Sequence, residues 1–119
     1  MQRILMKSKI HRATVTRADL DYEGSLSISP ELLAAADITV GEQVHVVNIT
    51  NGSRAVTYAI EGTAGEIALN GAMAHIGAVG DTVIVITYAS VEATEVDAFR
   101  PRVVHVGAGN RMLEEVAVH

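Results

Sequence analysis

The dipeptide Asn51-Gly52 separates two strand-like runs, residues 43–50 and 53–61, and ties this stretch into an antiparallel hairpin. A type I′ turn needs positive φ at both central positions, and Asn-Gly adopts that pair of conformations readily. The other apolar runs are also short. Residues 3–16 alternate in pieces, with Thr14 and Thr16 adding β-propensity and Ile10 and Val15 on opposite faces. Residues 66–69 form a brief strand, and residues 82–89 form an unbroken β-branched run expected to be buried on both faces. A further strand covers 102–106, bounded by Pro101 and Gly107, while residues 18–24 are polar and turn-like. One helix is plainly punctuated: Ser29 as its cap, Pro30 at the first helical position, and Glu31 in the positive first turn. Leu32, Leu33 and Ala36 give it an apolar stripe that ends near Asp37, and Gly41 opens the next connection. Residues 70–75 read as a small-residue loop or short helix. Residues 108–119 stay open, because Met112, Leu113 and Val116 have helical spacing in a short terminal segment.

About six short strands against one or two short helices predict a mainly β fold, a small closed or nearly closed β-barrel. With 119 residues and no internal linker or repeat, the chain is one domain. A domain this small buries proportionally little surface, which favours oligomerisation. Nine Lys plus Arg stand against 14 Asp plus Glu, for a net charge of −5, and no run of basic residues offers a nucleic-acid footprint. A few cations in an acidic protein suit a small anionic ligand. The absence of cysteine removes disulfides and thiolate chemistry. The five histidines lack helical metal-site spacing, so no metal is expected. No apolar run is long enough for a membrane helix, and the start MQRILMKSKIHR has no secretory pattern, so the expected location is cytoplasmic.

The Gly24-Ser25 bond carries a specific chemical possibility. A Ser hydroxyl can attack the preceding carbonyl, moving the acyl group from nitrogen to oxygen. β-Elimination from the resulting ester leaves dehydroalanine, and hydrolysis of that leaves a pyruvoyl group at a new N-terminus. Gly at position 24 permits strained dihedrals and keeps the attacked carbonyl uncrowded. Taken alone, the same pair is also an ordinary turn between a strand and a helix.

The surrounding residues keep an ordered pattern. Lys9-Ile10-His11-Arg12, Ala18-Asp19-Leu20 and Tyr22-Glu23-Gly24-Ser25 resemble the processing region of the bacterial aspartate 1-decarboxylases. Asn51-Gly52, Arg54 and Thr57-Tyr58-Ala59-Ile60 resemble that family's hairpin, and Asn70-Gly71-Ala72 with His75, then Val79-Gly80-Asp81, resemble its substrate-side loop. Arg100-Pro101 matches a later element, and the likeness runs over about residues 1–106 with order and spacing kept. The resemblance implies a double-psi β-barrel, a homotetramer, and self-cleavage into residues 1–24 (β chain) and 25–119 (α chain). It further implies a pyruvoyl cofactor derived from Ser25, with neither metal nor pyridoxal phosphate, and Schiff-base chemistry that converts L-aspartate to β-alanine and carbon dioxide for pantothenate synthesis. Asp21 stands where the family commonly has His, Met73 where it often has Ala, and the connection between Ile60 and Asn70 is shorter than usual.

Such a reaction needs a cation for the dicarboxylate, a proton source and small backbone-rich walls. Arg54 is the best carboxylate anchor, because its planar fork binds bidentately. It suits the retained carboxylate, since a strong cation on the departing one would stabilise the ground state. Its plain alternative is a surface Arg beside a turn. The resemblance implies Tyr58 as proton donor and Thr57 as the group that polarises the Gly24 carbonyl and contacts substrate. Thr57 and Tyr58 point to opposite faces of an ideal strand, so both contribute only through a bulge, a twist or a site between subunits. Lys9 adds a second cation or is simply solvated; His11 and Tyr22 frame the cleavage site or merely pack. Asn70, Gly71, Ala72 and Met73 meet the substrate, or form a tight turn. Two rivals stand beside this reading, a non-catalytic double-psi barrel used for binding and a related enzyme for another small amino acid. The combination of Gly24-Ser25 with Arg54, Thr57 and Tyr58 argues against the first; Arg54 and Lys9 favour an acidic substrate.

Overall fold

The computed structural model describes residues 1–117, with side chains described through residue 113. Nine strands form one continuous ladder: β1 (Gln2–Thr14), β2 (Arg17–Asp19), β3 (Ser25–Ile28), β4 (Gln43–Asn48), β5 (Arg54–Glu61), β6 (Ile67–Asn70), β7 (Thr82–Glu92), β8 (Arg102–Val106) and β9 (Met112–Ala117). Their spatial order is β2-β6-β3-β5-β4-β7-β1-β8-β9. Helix α1 (Pro30–Ala35) and three short 3-10 turns complete the described chain. β1 passes within two residues into β2, at the opposite end of the ladder order, so the ladder curls back on itself. Backbone bonds from Val15 to Asp81 and from Thr16 to Ile67 hold that return. The result is a small, mainly β barrel around Ile10, Leu26, Ile28, Val44, Val46, Ile67, Leu69, Val83, Val85 and Val104, all fully buried.

Several expectations change in detail. Ile10, Ala13 and Val15 are all buried, because the β1 register shifts between Ile10 and Ala13 and Arg12 takes φ 69°. This bulge resets the alternation that would have put Ile10 and Val15 on opposite faces. Ala18 and Asp19, read as the start of a turn over 18–24, pair with Arg17 against β6 as β2. β7 is longer than expected and alternates, with Val83, Val85, Thr87 and Val91 buried and the intervening residues partly or fully exposed. β-Branched residues on both faces therefore mark strand propensity here rather than two-sided burial. The open segment 108–119 contains β9, not a helix: the free edge of β8 offers a backbone ladder that outweighs the helical spacing.

Helix α1 starts at Pro30, but Ser29 makes no side-chain cap. Its Oγ instead accepts from the Gly65 amide at 3.1 Å. The β4–β5 hairpin forms, yet only Gly52 has positive φ, so the turn is not type I′. Buried Asn48 decides the loop's shape: its Oδ1 accepts from Thr50 and Asn51 amides at 2.8 and 3.2 Å, and Gly52 N–H donates to the Asn48 carbonyl. Asn48 Nδ2 reaches Asp81 and the Ile76 carbonyl, and Asn51 and Ser53 side chains donate to that same carbonyl. The hairpin is thus tied to the residue that follows the 3-10 turn Gly71–His75.

Candidate active site

β3 begins at Ser25, which pairs antiparallel with Asn70, the last residue of β6. Ser25 and Ser27 share one face of the strand, while Leu26 and Ile28 enter the core on the other. Ser25 Oγ donates to the Glu23 carbonyl at 3.0 Å. Asn70 Nδ2 donates to Ser25 Oγ at 3.1 Å and to Ser27 Oγ at 2.9 Å. All three side chains are buried, and Asn70 Oδ1 has no hydrogen-bond partner.

Backbone packing completes this corner. Gly71 has φ 62°, and a Cβ there would lie 2.7 Å from both Gly24 Cα and Gly24 N and 2.9 Å from the Tyr22 carbonyl oxygen. Only glycine permits so close an approach. On the other flank β5 runs parallel to β3, with Leu26 opposite Ala59, so Thr57 and Tyr58 precede that pair on β5 as Gly24 and Ser25 precede it on β3. Tyr58 is on the exposed side of β5 and Thr57 on the partly buried side. The structure therefore gathers Gly24, Ser25, Asn70, Gly71 and the Tyr22 backbone, with Thr57 and Tyr58 alongside. Ala72 is exposed; Met73 packs its side chain into the core, so what it offers this corner is backbone.

The expected cations lie elsewhere in the same chain. Arg54, at the start of β5, donates to His45 Nδ1 at 3.2 Å and to the Tyr88 hydroxyl at 3.3 Å, and the two rings stack edge-on at 4.9 Å. Lys9 sits on β1 between β7 and β8, with β5, β4 and β7 separating its strand from β3. No hydrogen bond or ion pair joins Lys9 or Arg54 to the Ser25 corner among the described residues. His11 pairs with His105 across β1 and β8, the rings 5.5 Å apart, and its Nδ1 is buried without a partner. Burial, then the nearby Lys9, His105 and Arg12, lower its pKa. Tyr22 lies in the loop before Gly24, half exposed, with the Arg17 guanidinium 5.8 Å from its ring centre. Among the described residues no group of three metal-ligating side chains converges.

His45, Tyr88 and Ser27 carry the site's secondary contacts, and sequence reading did not single them out. The hairpin register gave some signal for His45, because it puts Val47 opposite Arg54 and His45 two residues back on the same face.

Comparison with known proteins finds close relatives over nearly the whole chain. A family model described as aspartate decarboxylase matches residues 1–113. An aspartate 1-decarboxylase of Myxococcus xanthus (strain DK1622) is 57% identical over 115 residues, covering 95% of this chain and 88% of that protein. One of Mycolicibacterium smegmatis (strain ATCC 700084 / mc(2)155) is 55% identical over 115 residues, covering 95% and 85%. Aspartate 1-decarboxylase 1 of Gloeobacter violaceus (strain ATCC 29082 / PCC 7421) is 55% identical over 115 residues, covering 95% and 98%.

Proposed function

The chain belongs to the aspartate decarboxylase family, carbon–carbon lyases that release carbon dioxide from L-aspartate and leave β-alanine for pantothenate synthesis, and we propose that it builds the electron acceptor for this reaction from its own Ser25. The observation that carries the proposal is the buried hydroxyl of Ser25, held between the Glu23 carbonyl and the Asn70 amide next to a glycine-lined backbone. Cleavage at Gly24-Ser25 divides the chain into 1–24 and 25–119, and the residues present fit a pyruvoyl group at position 25. The backbone at Gly71, packed against Gly24, would hold it, and Asn70 would face the substrate, its unpartnered Oδ1 an acceptor for the substrate amine. When formed, its carbonyl supplies the sink for the electron pair left behind as carbon dioxide departs.

The other roles fall to side chains of this protein. Thr57 polarises the Gly24 carbonyl during cleavage. Tyr58 returns a proton to the substrate carbon. Arg54, oriented by His45 and Tyr88, holds the carboxylate that is retained, with Lys9 as a second cation and His11 and Tyr22 at the rim. Ala72 and Met73 contribute backbone to the substrate wall. The place of Lys9 on β1, with three strands between it and β3 in the ladder, and the bonding of Arg54 to His45 and Tyr88 support a site shared between subunits of a homotetramer. The enzyme works without metal or pyridoxal phosphate, in the cytoplasm, and binds neither nucleic acid nor membrane. Borohydride added together with L-aspartate should leave the amino acid covalently attached to the 25–119 fragment. Protein that makes β-alanine yet takes no such adduct contradicts the pyruvoyl reading.

A further inference from the structure

Ser27 is 3% exposed on the same face of β3 as Ser25, yet none of the roles assigned to Ser25, Tyr58 or Arg54 falls to it. We propose that Ser27 is a positioning residue for Asn70: its hydroxyl keeps the carboxamide in place once the Ser25 hydroxyl is consumed, leaving the released N–H and the free Oδ1 as a donor–acceptor pair for an amino-acid substrate. The proposal rests on the cleavage of Gly24-Ser25.

A carboxamide has two N–H donors and one acceptor oxygen. Here both donors are spent on serine hydroxyls, Ser25 at 3.1 Å and Ser27 at 2.9 Å, while the buried Oδ1 is left alone. The orientation of the amide follows from proton supply. Ser25 has a single hydroxyl proton, and it is given to the Glu23 carbonyl. Toward Asn70 it can therefore only accept, so Nδ2 must face it. Buried acceptors without partners are rare in native structures and call for an explanation. A substrate amine supplies one.

Cleavage changes this arrangement in a defined way. The Ser25 Oγ bonds to the Gly24 carbonyl carbon as the Gly24–Ser25 C–N bond breaks, and the hydroxyl proton passes to the freed amine. Elimination then gives the Cα proton to water, forms the Cα=Cβ bond and breaks the Cβ–Oγ bond, so that Oγ leaves as part of the Gly24 carboxylate. A water then replaces the nitrogen, which departs as ammonia. Asn70 loses one of its two acceptors, and of the pair only Ser27 is left. Without Ser27 the amide would be free to turn at the moment it is needed.

The test uses an uncleavable chain and a cleaving one. In Ser25→Ala protein, the Asn70 side-chain NH2 should stay protected from solvent exchange. Adding Ser27→Ala should lower that protection by about tenfold, the order of one net hydrogen bond, and Ser27→Thr should retain it. Unchanged protection in Ser25→Ala/Ser27→Ala protein overturns the proposal, whether or not the natural chain cleaves. With Ser25 present, Ser27→Ala should cleave at close to the parent rate, because Ser25 still holds the amide. Its cleaved form should show a KM for L-aspartate raised by about tenfold on the same hydrogen-bond scale, with Ser27→Thr restoring it. Equal impairment in the Ala and Thr variants would mean that Ser27 only packs, and the proposal falls. Should Ser27→Ala not fold, the parent decides: Asn70 must keep its NH2 protection after cleavage, and losing it overturns the proposal. A parent chain that never cleaves sinks the pyruvoyl reading separately.

Discussion

Ser25 sits where three constraints meet: a carbonyl that takes its proton, an amide that donates to its oxygen, and a glycine pressed against the preceding residue. Ser25→Ala should fold, since it removes one hydroxyl and leaves Asn70 bonded to Ser27, but intact-mass and β-alanine assays should find neither cleavage nor turnover. Tyr58→Phe keeps the ring on the exposed side of β5 and loses only the phenolic proton. It should cleave normally and lose turnover by about 100-fold or more; full activity would remove Tyr58 from the mechanism. His11 makes a prediction about pH. Its pKa is lowered in the fold by burial, Lys9, His105 and Arg12, so protonating it costs more folded than unfolded. Stability should be full above the unfolded value of 6.5 and fall as pH drops below it. Thermal unfolding of His11→Gln should show a flatter acid limb; an identical limb assigns the loss to other groups. Gly24, Ser25, Asn70 and Gly71 were legible because they stand in an ordered motif. His45 and Tyr88 were not, because the bonds that make them matter cross 9 and 34 positions of sequence.

Elements were legible where local chemistry agrees with the fold. The Asn-Gly signal found the hairpin, although its turn type was decided by Asn48, a buried side chain whose role depends on the distant Ile76 and Asp81. Proline at the helix start was a sound cue, whereas Ser29 spent its hydroxyl on Gly65. The bulge at Arg12 and the pairing of β9 with β8 are long-range outcomes that no local period reports. Two substitutions test the elements. Asn48→Ala removes the anchor of the 49–53 loop and should lower stability by about 2–3 kcal/mol, read as a drop in Tm; a change within error would mean that the loop is held without it. Gly71→Ala places a methyl group against Gly24 backbone, which cannot swing aside as a side chain would. It should slow the appearance of cleaved fragments by about tenfold or more. Cleavage at the parent rate would show that the close approach at Gly71 does not matter for the reaction.

At the scale of the whole molecule, Lys9 lies on β1, with β5, β4 and β7 between it and β3, and Arg54 bonds to His45 and Tyr88 and not to the Ser25 corner. The barrel class was readable from many short β-branched runs, but this division was not, because no spacing records which face another copy covers. Ser25→Ala and Arg54→Ala chains, each inactive alone, should regain part of the activity when coexpressed if a site draws on two copies. No recovery would place all the working groups within one subunit. The most direct measurement is the mass of the purified protein and of its pieces after warm incubation. The expected result is a fragment ending at Gly24, and a second fragment, residues 25–119, that resists N-terminal sequencing and is lighter by one ammonia than a serine-ended peptide. An intact chain, or a second fragment that opens with a free serine amine, contradicts it.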